Sequence, residues 1–258
     1  MHAQLYFIIS LMLVSSGRAQ QGQPASAGNF VGERLEFQMQ YLNMSAATLV
    51  FEMREDSNFY HLRVAAKSTG KATIFFSLDN VYEAMLMKQN LLPVRIEKTI
   101  RQKNIARDVV IQYDHETGIA SLADSVRWPI PADCYHYFSM LYFFRTIAWD
   151  QVDLQRLHLD SEYIISAVDV SLQPEPELTT TPAGQFSTRR LELAFTPQSD
   201  EARPWKTDLL TNRLAKPGSE VTFWFSDDEA RLPVKISYGN SAVKTVIVLT
   251  SFSRGARN

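Results

Sequence analysis

Apolar and polar residues alternate with a period of two along most of this chain. In the first clear example, Leu35, Phe37, Met39 and Tyr41 are separated by single polar residues. Successive side chains of a β-strand point to opposite faces of a sheet, so this alternation indicates a strand with one buried and one solvated face. Similar stretches occur at about 49–53, 60–64, 81–88, 92–101, 109–113, 119–128, 161–172, 185–196, 220–226, 231–238 and 242–251. The pattern predicts a mainly β fold.

The connections between these stretches favour antiparallel pairing. Many of them are short and polar, as in the sequence EDSN at 55–58. Parallel neighbours would need long crossover connections, whereas antiparallel neighbours need only a tight turn. The segment 173–184 contains three prolines, and proline is confined to the edges and loops of sheets. We therefore expect one long antiparallel sheet, with an edge or a loop in this segment; two stacked sheet modules that meet at a helix are the alternative.

One stretch, residues 131–149, lacks the alternation. Its apolar side chains, among them Tyr135, Phe138 and Tyr142, come close to helical spacing. Asp133 stands where it could cap the first turn by accepting backbone hydrogen bonds. The density of aromatic residues indicates a buried helix. We predict a strongly curved antiparallel sheet, a half-barrel or open barrel, that wraps this aromatic-rich helix.

The chain begins with the layout of a cleavable secretory signal, predicted over residues 1–19. A short apolar stretch is followed by small residues up to Ala19, and it is shorter than the roughly 20 residues that span a bilayer. Residues 20–29 lack bulky apolar groups and are predicted to form a flexible leader before a single β-rich domain at 30–258. We expect an exported protein, periplasmic or secreted, that is soluble after cleavage near Ala19.

The charge and the metal-binding residue types exclude several function classes. A formal net charge of −2 gives no reason to expect binding to nucleic acid. The single cysteine, Cys134, allows no internal disulfide. His61, His115, His136 and His158 lack the spacing of a zinc-binding helix, so no metal or other cofactor is predicted. Cys134 could act as a nucleophile with His136 or His158, but a lone cysteine beginning an aromatic helix is more often a small buried residue.

Three consecutive acidic residues, Asp227, Asp228 and Glu229, stand between two apolar stretches. They favour a turn between two strands, because aspartate side chains accept hydrogen bonds from nearby backbone N–H groups. The alternative is a carbohydrate-processing hydrolase of the cell envelope, which would need two carboxyl groups about 5–10 Å apart across a sugar. Trp224 would then offer a ring on which a sugar can pack. We predict the turn and assign no catalytic residue.

Aromatic side chains indicate a different kind of site. Phe223, Trp224 and Phe225 are consecutive, and strand geometry places Trp224 on the face opposite to its neighbours. Since both faces of this strand are apolar, one of them could line a ligand cavity. Ligand contacts are predicted for Tyr135, Phe138, Tyr142, Phe223 and Trp224.

Four segments of the chain carry a family resemblance. They are VGERLEFQMQYLNMSAATLVFEM at 31–53, LLPVRIEK at 91–98, TPAGQFSTRRLEL at 181–193 and WFSDDEARLPVKI at 224–236. They resemble a bacterial family of exported proteins catalogued as domain of unknown function 3108, which typically shows an aromatic strand, a Ser-Asp-Asp-like turn and Arg-x-Pro-Val. The resemblance implies a strongly curved sheet, similar to the half-barrel of the periplasmic lipoprotein carriers, which hold acyl chains against a central helix. The family's patterns name no binding residues.

Together these patterns predict a non-enzymatic exported protein. We expect it to bind a lipid, an acyl chain or another envelope component on the concave face of the sheet, with no transmembrane segment in the mature chain. A structural module that binds a protein partner is a further alternative.

Overall fold

A computed structural model describes most of the region predicted to fold. The described residues are 30–42, 44–70, 73, 77–122, 126–199, 208–212, 219–239 and 244–255. The predicted signal at 1–19 and the predicted leader at 20–29 lie outside the described residues. Within those ranges the chain forms one sheet of sixteen strands, and its ladders are antiparallel except for one short parallel pair.

The strands are numbered in chain order. They are β1 Arg34–Tyr41, β2 Met44–Glu55, β3 Phe59–Ser68, β4 Asp79–Met87, β5 Pro93–Gln102, β6 Ile105–Asp114, β7 Ile119–Leu122, β8 Val126–Pro129, β9 Cys134–Tyr135, β10 Leu157–Asp160, β11 Ile165–Leu172, β12 Glu177–Thr181, β13 Gly184–Pro197, β14 Glu220–Ser226, β15 Pro233–Gly239 and β16 Lys244–Ser253. The helices are α1 Tyr137–Phe144, a 3₁₀ helix Trp149–Leu154 and α2 Leu209–Asn212.

The first and last strands meet in the middle of the sheet. β1 pairs with both β2 and β16, and the remaining strands continue outward to β8 on one side and to β9 on the other. The two edge strands are separated by four residues of chain, which span at most about 18 Å when extended. The sheet therefore curls until its two edges lie near each other, although it remains open between them. The prediction of a mainly β fold with one large open sheet is confirmed.

The period-two pattern gives each strand one buried face. In β1 the side chains of Leu35, Phe37 and Met39 are buried, while the residues between them are exposed or half-buried. The strand predicted at 161–172 begins later than expected, because a turn at 161–164 separates β10 from β11. The proline-containing segment forms β12, which pairs only with β13 and lies off the main path of the sheet.

The helix predicted over 131–149 is much shorter in the structure. α1 begins after His136, whose backbone is extended. The His136 backbone N–H donates a hydrogen bond to the Ser139 hydroxyl. Tyr135 lies in β9 instead, where the chain pairs with β10. The prediction that Asp133 caps the helix is wrong, because its carboxylate pairs with the His158 ring at 2.8 Å.

α1 packs against both halves of the sheet. The Phe138 ring lies 5.6 Å from the Phe51 ring of β2, and the Phe144 ring lies 6.2 Å from the Phe223 ring of β14. We call the face of the sheet that contacts α1 the inner face. Because burying one large apolar side chain contributes about 1.5–3 kcal/mol, these contacts hold α1 firmly against the inner face.

Candidate functional site

An apolar cavity lies between α1 and the inner face of the sheet. It has a volume of about 40 Å³, and side chains from β2, α1, α2 and β14 are among those that line it. Among its lining residues are Leu49, Phe51, Phe138, Leu141, Leu210 and Phe223. Small-molecule pockets usually measure about 300–1,000 Å³, so this cavity holds no acyl chain while Leu210 stays in place.

The predicted ligand contacts divide between two faces of the sheet. Phe138 and Phe223 line the apolar cavity. Tyr135 donates a hydrogen bond from its hydroxyl to the Asn90 carbonyl, and Tyr142 donates one to the Glu33 carboxylate. All four are buried on the inner side.

Trp224 is placed differently from the other predicted contacts. As expected, it faces away from Phe223, and the Lys235 ammonium lies 4.3 Å from the centre of its ring. Its indole N–H donates a hydrogen bond to the Glu177 carboxylate of β12. The structure therefore brings Phe138 and Phe223 together and keeps Trp224 on the outer face.

A buried lysine lies on the inner face, where sequence reasoning proposed no charged residue. Lys98 lies two residues from both Ile96 and Ile100 in β5, so the three buried side chains share one face of the strand and point inward. Its ammonium lies 2.8 Å from a Glu162 carboxylate oxygen and 3.5 Å from one of Asp208. Burial alone lowers the pKa of Lys98, but attraction to both carboxylates outweighs it and raises the pKa above its ordinary value. The lysine is therefore charged.

Tyr82 and Thr211 complete what we call the Lys98 centre, formed by Lys98, Glu162, Asp208, Tyr82 and Thr211. The Tyr82 hydroxyl donates a hydrogen bond of 2.8 Å to Asp208, and burial followed by the charge of Asp208 raises the pKa of Tyr82 well above its ordinary value. The Lys98 ammonium also donates to the Thr211 hydroxyl at 3.3 Å. The centre therefore joins α2 to β4 and β5 through polar contacts.

The turn that carries Glu162 has an unusual backbone. Glu162 and Tyr163 have φ values of 58° and 86°, in the left-handed region that non-glycine residues rarely adopt. Such conformations cost free energy and persist where the surrounding contacts hold them. Here the contact of Glu162 with Lys98 is one of those that hold the turn.

A third carboxylate lies beside the Lys98 centre. Asp160 is fully buried, accepts a hydrogen bond of 2.9 Å from the Tyr113 hydroxyl and accepts another from the Tyr163 backbone N–H. Burial raises the pKa of Asp160 to about 6, even though both hydrogen bonds lower it. With Glu162 and Asp208 it makes this part of the interior richer in acid than in base.

Burial works against nucleophilic chemistry at Cys134 and His136, two of the candidates from the sequence. Burial raises the pKa of Cys134 well above its ordinary value, so the reactive thiolate is disfavoured. Burial likewise lowers the pKa of His136 well below its ordinary value, which favours the neutral ring. In the part of the chain that the structure describes, no cluster of three or more His, Cys, Asp or Glu residues could hold a metal ion.

A second buried ion pair, which we call the Arg145 centre, consists of Arg145, Glu33, Tyr142 and Phe30. Two guanidinium nitrogens of Arg145 each lie 2.7 Å from a Glu33 carboxylate oxygen. The Phe30 and Tyr142 rings cover the guanidinium with their centres 4.1 Å and 4.9 Å away. Burial lowers the pKa of Arg145, but the attraction of Glu33 outweighs it and the pKa is raised.

The acidic turn of Asp227, Asp228 and Glu229 lies between β14 and β15. Asp227 accepts hydrogen bonds from the Trp149 indole and the Arg189 guanidinium. Asp228 accepts from the Ser226 hydroxyl and from the backbone N–H groups of Ala230 and Arg231. These contacts are those of a turn stabilised by its own aspartates.

The comparisons with known proteins agree with this fold. A family model described as "Protein of unknown function (DUF3108)" matches residues 36–243. Among solved structures, a β-barrel-like protein of domain of unknown function DUF1849 from Brucella abortus has a TM-score of 0.53 and 9% identity, over 88% of this chain and 99% of that chain. At that identity the similarity concerns the fold alone.

Two further solved structures are similar to a lesser degree. One is a protein from Bacteroides fragilis described as exported and as having a YmcC-like fold, with a TM-score of 0.34 and 11% identity over 87% of this chain and 97% of that chain. The other is described as a lipoprotein from Parabacteroides distasonis, with a TM-score of 0.35 and 11% identity over 87% of this chain and 96% of that chain. No protein with a curated description matches the chain.

Proposed function

The chain belongs to the DUF3108 family of proteins of unknown function, and on that premise we propose that it binds a hydrophobic ligand, a lipid or an acyl chain, on the concave side of its sheet without catalysing a reaction. We place this function outside the cytoplasm, in the periplasm or in the secreted fraction, because the chain begins with the layout of a secretory signal. Across the described ranges, no helix combines the length and the apolar character needed to cross a membrane.

The apolar lining of the cavity supports the proposal, and the volume of about 40 Å³ means that an acyl chain would enter only as lining side chains move aside. The walls of the cavity come from α1, α2 and both halves of the sheet, so an apolar ligand there would contact all of these elements. Leu210 is the residue of α2 that lines this cavity, and the neighbouring Asp208 and Thr211 make polar contacts with Lys98. We propose that Leu210 moves aside for the ligand, since it lines the cavity and is not part of the ring contacts between α1 and the sheet.

The alternatives have less support. The carbohydrate-processing hypothesis needs carboxylates that are available to a substrate, whereas Asp227 and Asp228 are engaged by neighbouring donors. A protein-binding module is favoured by one observation, the small volume of the cavity, which is about 40 Å³. That hypothesis predicts a protein that carries no lipid.

The experiment compares what the purified protein carries with what it can bind. Native mass spectrometry of protein purified from cells is expected to show added mass that organic solvent removes. Leu210→Ala should retain more ligand than the natural protein because it enlarges the cavity, and Leu141→Phe should retain less because it fills the cavity. Leu154→Ala is the matched control, since Leu154 is 69% exposed and is not among the lining residues.

One outcome would contradict the proposal. If the natural protein and Leu210→Ala both carry no added mass and neither binds a long-chain fluorescent probe, the concave side is not a hydrophobic binding site. The protein-binding module would then be the better hypothesis.

A further inference from the structure

We propose that the ligand is a single-chain amphiphile with a carboxylate head, a fatty acid, and that Asp208 and Leu210 act as its internal substitute when no ligand is bound. This inference rests on the proposed function, because it concerns the same cavity. It adds the chemical class of the ligand and the residues that select it.

The head of the amphiphile is represented by the Asp208 side chain. This carboxylate is fully buried, and it accepts a hydrogen bond from the Tyr82 hydroxyl at 2.8 Å. The Lys98 ammonium approaches it at 3.5 Å. A hydroxyl and an ammonium that converge on one carboxylate are the donors expected of a carboxylate-binding site.

The chain of the amphiphile is represented by Leu210. Leu210 lies two residues after Asp208 and lines the apolar cavity. The carboxylate site and the cavity are adjacent, because the Phe138 ring lines the cavity and lies 5.1 Å from the Tyr82 ring. Asp208 therefore occupies the polar centre and Leu210 the adjoining apolar cavity, in the places that the head and the first carbons of a fatty acid would take.

The head should be a carboxylate because the buried site then keeps the same net charge after Asp208 is displaced. If Asp208 leaves, Lys98 keeps Glu162 at 2.8 Å. The Tyr82 hydroxyl and the hydroxyl and backbone N–H of Thr211 then lose the carboxylate that accepts their hydrogen bonds. A buried polar group that loses its partner is costly, and a buried charge that loses one is more so. An incoming carboxylate replaces a negative charge with a negative charge, whereas an alcohol restores only a weak hydrogen bond.

Binding of dodecanoate and dodecanol tests the choice of head group. Both probes are used below the concentrations at which they aggregate, at pH 8, with free and bound probe separated by equilibrium dialysis. We expect dodecanoate to bind the natural protein about 10- to 100-fold more tightly than dodecanol, since hydrogen bonds to charged groups are the stronger ones.

Variants of the donors should remove this preference. Lys98→Met should lower dodecanoate affinity about tenfold or more while leaving dodecanol affinity within about twofold. Lys67→Met is the matched control, because the Lys67 side chain is 71% exposed and belongs to a surface pair. If Lys98→Met does not fold, Tyr82→Phe keeps the ring and should reduce the preference severalfold.

A variant of Asp208, the internal substitute for the head, should raise the affinity for dodecanoate. Asp208→Asn removes the competing charge and should tighten dodecanoate binding about tenfold, with Asp79→Asn at a 62% exposed position as the control. Unchanged dodecanoate affinity in Asp208→Asn would overturn the substitute role.

Equal affinity of the natural protein for dodecanoate and dodecanol would overturn the head-group inference while the proposed function stands. Binding of neither probe by any variant would overturn both.

Discussion

The two buried ion-pair centres differ in the ratio of acid to base. In the Arg145 centre one guanidinium meets one carboxylate through two hydrogen bonds of 2.7 Å. In the Lys98 centre one ammonium meets two carboxylates, and one of these, Asp208, stands beside the four-residue helix α2. The Arg145 guanidinium holds its single carboxylate with two nitrogens, whereas Lys98 is shared between two carboxylates, and we propose that one of them, Asp208, gives way to another anion.

The position of the Arg145 centre in the fold agrees with a structural role. Arg145 follows α1 and Glu33 precedes β1, so the Arg145 centre ties the helix to the middle of the sheet. Gly32 stands next to this tie with a φ of 76°, and a Cβ there would lie 2.7 Å from the Gly255 backbone. The backbone is therefore tightly packed around the Arg145 centre, as expected of a structural element.

The largest expected effect tests the structural role of the Arg145 centre. Arg145→Met leaves Glu33 buried without its partner, so we expect the free energy of unfolding to fall by about 3–5 kcal/mol in urea denaturation. Arg101→Met is the control, because Arg101 pairs with Asp108 at the surface and such pairs contribute about 0–1 kcal/mol. A loss no larger than that of the control would show that the Arg145 centre does not hold the fold together.

The second prediction tests whether burial disfavours the charged form of Asp160, the third acid near Lys98. Well below pH 3.8 Asp160 is protonated in the folded and the unfolded chain, and well above pH 6 it is ionised in both. Because its folded pKa is raised from 3.8 to about 6, the folded state loses about 3 kcal/mol relative to the unfolded state as pH rises through this range.

Asp160→Asn removes this titration. The groups that face Asp160 are Lys98, Glu162, Tyr113 and Cys134, and they remain in the variant. Urea denaturation of both proteins from pH 4 to pH 7 should therefore show the natural protein losing stability relative to Asp160→Asn. Parallel stability curves across that range would mean that Asp160 is not desolvated.

A smaller effect is expected at the exchangeable acid. Asp208→Asn removes one of the two carboxylates around Lys98, but the ion pair with Glu162 at 2.8 Å remains. We expect a loss of about 1.5–3 kcal/mol, the range for a hydrogen bond to a charged group. Glu33→Gln is the matched variant in the Arg145 centre and should cost more. Equal losses in the two variants would remove the distinction between the centres.

The local patterns of the sequence predicted the sheet but not the buried centres. Strand positions follow from alternation of neighbouring residues, whereas Lys98 meets Asp208 across 110 positions and Arg145 meets Glu33 across 112. One local signal for Lys98 was present, because a lysine stands between Ile96 and Ile100 in the apolar register of its strand.

The candidate residues show the same limit. The aromatic composition of 131–149 favoured one long helix, and it could not reveal that Tyr135 pairs as a strand. The face of Trp224 followed from strand geometry, whereas its cover by Glu177 depends on the distant strand β12. Sequence patterns thus assign faces, and tertiary contacts decide which of those faces a ligand can reach.

The smallest expected effect concerns the acidic turn, which adjoins the Arg145 centre. Arg145 donates a hydrogen bond to the Ala230 carbonyl, and Asp228 holds that residue by accepting from its backbone N–H. Asp228→Ala should therefore cost about 1 kcal/mol in urea denaturation, since it removes side-chain acceptors from an otherwise intact turn. Glu229→Ala, at the next exposed position, should change stability by less than about 0.5 kcal/mol. If Glu229→Ala lowers the free energy of unfolding more than Asp228→Ala does, Glu229 and not Asp228 holds the turn. The contacts of the Arg145 centre then do not depend on Asp228.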